Sequence, residues 1–218
     1  MSNDFIHLLF IGLIALFPVV NPLGSAFIIE HYFKGLDREE KRNAVKKVVF
    51  YAFSICSVSL FSGRYILELF GLSIPNIQLA GGIMICKMGW ELLSKQEQSQ
   101  DKIKMSEVSN KDTSLENKLF YPISFPITTG PGTMSVLFTL SAHSAGIDFN
   151  GYMVNTLAIF ISILIMCVLI YIFYLNTGSI LNYLGKKGEI IINQMSSFLI
   201  FCVGLQIAFS GIKTLLKM

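Results

Sequence analysis

The chain of 218 residues is 53% apolar and only 14% charged, with a formal net charge of +3. A soluble domain of this size carries about a quarter charged residues, so the composition excludes one and points to an integral protein of the lipid bilayer. The basic residues are segregated into the connections between apolar segments and form no stripe of the kind that holds nucleic acid, so no nucleic-acid partner is expected.

The first predicted span runs from Phe5 to Phe33. Met1 to Asp4 lacks a basic n-region and Leu8 to Leu16 is not followed by a small-residue cleavage site, so this segment is expected to remain as a span. It is interrupted by Phe17-Pro18-Val19-Val20-Asn21-Pro22-Leu23-Gly24. The prolines remove amide donors and disfavour helical geometry in the residues before them, so the helix should break here. The flanks, Ile6 to Leu16 and Leu23 to Phe33, are each about 16 Å long at ~1.5 Å per residue. Each covers half of a hydrocarbon core roughly 30 Å thick, which puts the break near the midplane, where only protein or a hydrated cavity can accommodate it.

Lys34 to Lys47 reads as a polar connection, and span 2 begins near Ala44 and continues through Phe61 to about Gly71. Span 3 covers Ile74 to Leu93, with Pro75 in its first turn, a favourable place for proline. Residues 95–118 are rich in Lys, Gln, Ser and acidic residues and read as a flexible loop. Span 4, Leu119 to Ser144, repeats the interruption at Phe125-Pro126-Ile127-Thr128-Thr129-Gly130-Pro131-Gly132. Span 5 runs from Tyr152 to Leu175, extending as far as Tyr183, and span 6 from Ile190 to Leu215.

A second match lays Leu79-Ala80-Gly81-Gly82 through Glu91 against Gln194-Met195-Ser196-Ser197 through Gln206, with a slip of about seven residues between the two registers. The chain therefore reads as two repeats, residues 1–94 and 119–218, divided by the loop. Lys34, Arg38, Lys41, Arg42, Lys46 and Lys47, then the lysines of 95–118, then Lys186 and Lys187 follow spans 1, 3 and 5. The other side holds Arg64, Lys213 and Lys217. The positive-inside rule places the odd connections in the cytoplasm and both termini outside it. Three spans per half invert the second half relative to the first. The expected fold is all-α and membrane-integral: six transmembrane helices in two inverted three-helix repeats, helices 1 and 4 broken near the midplane, a construction used by secondary transporters.

The first interruption, the stretch Tyr121-Pro122-Ile123-Ser124-Phe125-Pro126-Ile127-Thr128-Thr129-Gly130-Pro131-Gly132-Thr133 and Ala80-Gly81-Gly82 together resemble the MarC family of bacterial inner-membrane proteins, over essentially the whole chain. The resemblance implies a six-span, transporter-like protein of the bacterial cytoplasmic membrane. Some members resemble transporters of small neutral amino acids such as glycine or alanine, and one branch is linked to antibiotic resistance. Lys87 and Glu91, inside span 3, depart from the apolar residues expected there.

The residues at the breaks supply a matching chemistry. A helix restarting at Pro22 with Asn21 as cap, and another at Pro131 with Thr129 or Gly130 as cap, leave the amides of Leu23, Gly24, Ser25, Gly132 and Thr133 without intrahelical partners. Helix N-termini attract carboxylates. Gly24, Gly130 and Gly132 let a ligand approach the backbone, and the hydroxyls of Ser25, Thr128, Thr129 and Thr133 add donors. Carbonyls near Leu16, Phe17, Ser124 and Phe125, with the Asn21 amide oxygen, offer acceptors to an amino group. Kinking and close helix packing would by themselves account for one such motif; two at inverted positions favour a binding role. Ala80-Gly81-Gly82 and Ser196-Ser197 read as packing surfaces.

The expected function is secondary transport of small neutral amino acids, with export of drugs or other metabolites as the alternative and an intramembrane serine enzyme around His143, with Ser141 or Ser144, as the disfavoured one, since no Gly-x-Ser-x-Gly context is present. Snorkelling explains Lys87, which Glu91 can pair four residues on. Glu30, His31 and Glu68 read as interfacial. No carboxylate falls at the midplane, so a coupling proton or sodium ion would have to use backbone carbonyls at the breaks. No cofactor is expected, and no metal, because the spans lack clustered His, Asp and Glu. The four cysteines, Cys56, Cys86, Cys167 and Cys202, read as packing residues in apolar segments.

Overall fold

A computed structural model describes residues 2–97, 118–143 and 149–216. It contains α1 (Ser2–Val20), α2 (Pro22–Phe33), α3 (Arg38–Phe70), α4 (Ile74–Glu97), α5 (Leu119–Thr128), α6 (Pro131–His143) and α7 (Phe149–Leu215). Gly185, at φ 63 and ψ 176, turns α7 sharply and divides it into two arms, α7a (residues 149–184) and α7b (186–215). There is no strand among the described residues. Among the described residues four stretches are long and apolar enough to cross a bilayer: Phe5–Phe33, Arg38–Gly63, Gly151–Gly185 and Lys187–Leu215. Most of the expected loop, 98–117, and Ser144 lie outside the described residues; 95–97 continue α4.

Two of the boundaries that differ from the sequence expectation have a local reason. α3 starts at Arg38, six residues before Ala44, because Asp37 and Glu40 form a reciprocal capping box that satisfies two backbone amides. Helix α1 does not end at Leu16; it carries Pro18 within it and runs to Val20, so the first break contracts to Asn21 alone. One proline costs a helix a single hydrogen bond and a wedge, and packing against neighbours sustains the geometry.

Hydroxyl-bearing residues are buried within the apolar core, and large apolar side chains line the outside. Ser25, Ser124, Thr128, Thr129, Thr133 and Ser162 are buried, while Ile14, Phe50, Val58, Trp90, Val168 and Phe209 are exposed. An exposed apolar belt around buried hydroxyls is the arrangement a lipid solvent favours.

Three helix pairings organise that interior. α1 and α2 run parallel to α7a, with Gly12 against Ser162, Ser25 against Tyr174 and Glu30 near Gly178. α5 and α6 run parallel to α3, with Phe120 on Tyr51 and Phe138 on Gly63. α4 and α7b run antiparallel in backbone contact: a Cβ on Gly82 would stand 2.7 Å from the Gly204 carbonyl oxygen, one on Gly211 2.7 Å from that of Pro75, and one on Gly89 2.7 Å from the Phe201 amide. Gly81 turns to the other side of α4, against Ser135 of α6, whose hydroxyl donates to the Ile77 carbonyl at 3.2 Å. Small residues here let backbones meet.

Candidate functional site

At the first interruption the chain reverses its local hand at one residue. Asn21 has φ 43 and ψ 63, the left-handed region that asparagine visits more readily than other side-chain-bearing residues. Its amide closes α1 by donating to the Phe17 carbonyl at 2.9 Å, and its carbonyl accepts the Ser25 amide at 2.9 Å. Its side-chain oxygen accepts the Gly24 amide at 3.2 Å, and the Ser25 hydroxyl donates to the Asn21 carbonyl at 2.8 Å. Asn21 is thus the cap that the sequence predicts, but it leaves little bare. The amides of Gly24 and Ser25 are taken, and the space beside Gly24 that a ligand would enter is filled by the Asn21 side chain. The Phe17 carbonyl and the Asn21 side-chain oxygen, expected as free acceptors, are occupied as well.

At the second interruption the disturbance extends over ten residues, in place of the regular half-helix expected from Leu119. Pro122 and Pro126 lack amides, and the residues before them, Tyr121 and Phe125, are extended at φ −125 and −129, as residues before proline prefer. Both X–Pro bonds are cis. The turns between them are wide, with bonds back by five residues: the Thr129 amide and hydroxyl both donate to the Ser124 carbonyl, at 2.9 and 2.8 Å, the Ser124 hydroxyl donates to the Leu119 carbonyl at 2.6 Å, and the Thr128 hydroxyl reaches the Ile123 carbonyl at 2.8 Å. Helix α6 then starts at Pro131. Gly130 is its backbone cap, since the Met134 amide donates to the Gly130 carbonyl at 3.2 Å. The amides of Gly132 and Thr133 fall in the first turn, where no helical acceptor precedes them. The Thr133 hydroxyl is buried, the residue being 1% exposed, and has no hydrogen-bond partner. A Cβ on Gly130 would stand 2.9 Å from the Pro126 carbonyl oxygen, so this glycine serves the turn itself.

The two interruptions meet. A Cβ on Gly132 would stand 3.1 Å from Val19, the penultimate residue of α1, and 2.8 Å from Ile85 of α4. A third helix joins them through a side chain that sequence reasoning missed: the Tyr174 hydroxyl on α7a donates to the Ser25 hydroxyl at 2.9 Å and lies 2.8 Å from that of Thr128. Tyr174 is fully buried. A tyrosine deep in an apolar span needs a partner for its hydroxyl, and that was the signal available. The oxygens of Asn21, Ser25, Tyr174, Thr128 and Ile123 form a chain of four contacts that ends in carbonyls on both sides. Three hydroxyls carry three protons, so one contact always lacks a proton and the chain can accept one more donor.

The ionisable residues stand away from this centre. Glu30 pairs with Lys41 at 2.6 Å and ties α2 to α3, and Lys87 and Glu91 form an exposed pair at 3.8 Å. His31 is exposed. His143 ends α6, its side chain outside the described residues. Among the described residues no group of His, Cys, Asp and Glu could hold a metal ion. A groove of about 380 Å³ between α1 and α7a, lined by Phe10, Phe17, Ile165 and Leu169 among others, is apolar throughout and offers nothing to a polar solute.

Comparison with known proteins agrees with a membrane-integral chain. The family model described as MarC family integral membrane protein matches residues 6–216. The chain is 27% identical over 213 residues to the UPF0056 inner membrane protein MarC of Citrobacter koseri, with 95% of each chain covered. It is equally similar, 27% over 212 residues with 95% of each covered, to the protein of that name from Salmonella arizonae, and 27% over 216 residues to that of Escherichia coli. No solved structure matches.

Proposed function

Because the chain belongs to the MarC family of integral membrane proteins, we propose that it is a secondary transporter of small neutral amino acids, of the glycine and alanine class. In this reading the solute sits between two inverted three-helix repeats in a bacterial inner membrane, with both termini outside the cytoplasm. The observation that carries the proposal is the meeting of the interruptions: Gly132 packs on Val19, and Tyr174 bridges Ser25 to Thr128. Polar groups this deep in an apolar body are costly. A zwitterion that uses them is the simplest return. Asn21, Pro22, Gly24 and Ser25 frame one side, and Thr128, Thr129, Gly130, Gly132 and Thr133 the other. A coupling sodium ion would find oxygen acceptors in the carbonyls and hydroxyls of the chain from Asn21 to Ile123.

The contact pattern supports the inverted-repeat reading. Phe138 packs on Gly63 as Glu30 approaches Gly178; positions 30 and 138 differ by 108, the offset of the Phe-Pro interruptions, and positions 63 and 178 by 115. Along the antiparallel seam Gly82 meets Gly204, and the pairs Cys86–Gly204 and Gly82–Ala208 exchange under an offset of 122. The slip of seven residues is thus taken twice along the repeat, once more than the sequence match supposes.

The test is uptake. Purified protein in liposomes should accumulate or exchange labelled glycine and alanine, recovered chemically unchanged because the reading involves no catalysis. Liposomes that take up neither beyond the protein-free control overturn it.

A further inference from the structure

The repeat register compares the two helix starts residue by residue. Ser25 corresponds to Thr133 at the offset of 108, and Tyr174 corresponds to Ser59 at the offset of 115. At the first break Tyr174, from the second half, reaches Ser25 and satisfies it at 2.9 Å. At the second break the Ser59 hydroxyl of the first half turns back onto its own helix, donating to the Ile55 carbonyl at 2.8 Å, and the buried Thr133 hydroxyl is left with no partner. The amides of Gly132 and Thr133 stand beside it in the first turn of a thirteen-residue helix, whereas at α2 the Gly24 and Ser25 amides are both bonded to Asn21.

From this asymmetry we infer that the substrate carboxylate docks at one break only, on the Thr133 hydroxyl and the Gly132 and Thr133 amides at the start of α6. The start of α2 is its sealed counterpart, closed by Asn21 and Tyr174. An orphaned hydroxyl next to first-turn amides at the positive end of a helix dipole favours an anionic group. Where the second half has Tyr174 the first has Ser59, a smaller side chain whose hydroxyl stays on its own helix. Val19 and Ile85, packed on Gly132, close one side of the helix start. The inference rests on the transporter reading and refines which end binds.

The experiment is thermal stabilisation of the purified full chain in detergent by L-alanine, glycine and ethylamine, for the wild type, Thr133→Val, Thr133→Ser and Lys87→Ala. Alanine and glycine should stabilise the wild type and ethylamine should not. The apparent Kd for alanine should rise at least tenfold in Thr133→Val, recover in Thr133→Ser and stay unchanged in Lys87→Ala. Equal stabilisation by ethylamine and alanine, or an unchanged Kd in Thr133→Val, overturns the inference and leaves the transporter reading standing. If neither amino acid stabilises the wild type, the transporter reading itself fails and the inference with it. Should Thr133→Val not fold, Thr133→Ser with the ethylamine arm still decides.

Discussion

The interruptions at 17–24 and 125–132 share Phe-Pro at their start and Gly at their eighth position and are closed in opposite ways. The first is a single left-handed asparagine between two regular helices, its polar groups used locally. The second is ten residues of wide, irregular turns followed by a helix start with a vacant hydroxyl. The number of internal prolines makes the difference. Pro18 is the one proline inside α1, and Pro22 falls at the first position of α2, where its missing amide costs nothing. Pro122 and Pro126 both fall inside the second interruption, ahead of Pro131 at the start of α6, and the residues before them are extended. A motif match therefore fixes where a membrane helix is interrupted, and the neighbouring prolines decide how much of it unwinds.

That contrast can be broken at Asn21. Asn21→Leu places a branched side chain in left-handed geometry, costing roughly 1–2 kcal/mol, and removes a helix cap worth about 1 kcal/mol. It should give the largest loss of stability in a denaturant titration in mixed micelles, and alanine binding should fall with it. An effect no larger than that of a surface substitution would mean that the first break is not held by this residue.

Tyr174→Phe comes next. It deletes a hydroxyl from a chain already short of one proton, and Ser25 and Thr128 keep their bonds to the Asn21 and Ile123 carbonyls. The loss should therefore be about 1 kcal/mol, one net hydrogen bond and not two. Thr129→Val should cost less than Tyr174→Phe, because the Thr129 amide continues to hold the Ser124 carbonyl. Lys87→Ala sets the floor: the exposed pair with Glu91 belongs to the lipid-facing surface of α4, and its removal should leave melting temperature and binding unchanged.

Much of this was legible in the sequence. Asn21 before Pro22 announced a cap, Ile74 and Pro75 announced the start of α4, and the Phe-Pro pairs located both interruptions. The start of α3 was legible too, in Asp37 and Glu40, but the basic residues around them read as a connection. Whether Pro18 would break its helix was not legible, since a single missing donor is decided by what packs around it. Nor was Tyr174, whose role exists only because α7a lies alongside α2 and its hydroxyl reaches Thr128 at the end of α5, residues far apart in the chain. The glycine seam carried its spacing in plain view: 82 and 89 on α4 repeat as 204 and 211 on α7b. The sequence match instead paired Gly89 with Gly204, because similarity of residue types does not register which glycines face each other.

The most direct test is a double-mutant cycle between Ser25→Ala and Thr128→Val, measured as unfolding free energy with and without Tyr174→Phe. Both residues hydrogen-bond to the tyrosine hydroxyl. The account predicts a coupling of at least about 0.5 kcal/mol when Tyr174 is present and none when it is replaced. Additive effects in both backgrounds would mean that the two interruptions are not joined, and the site between them would not exist.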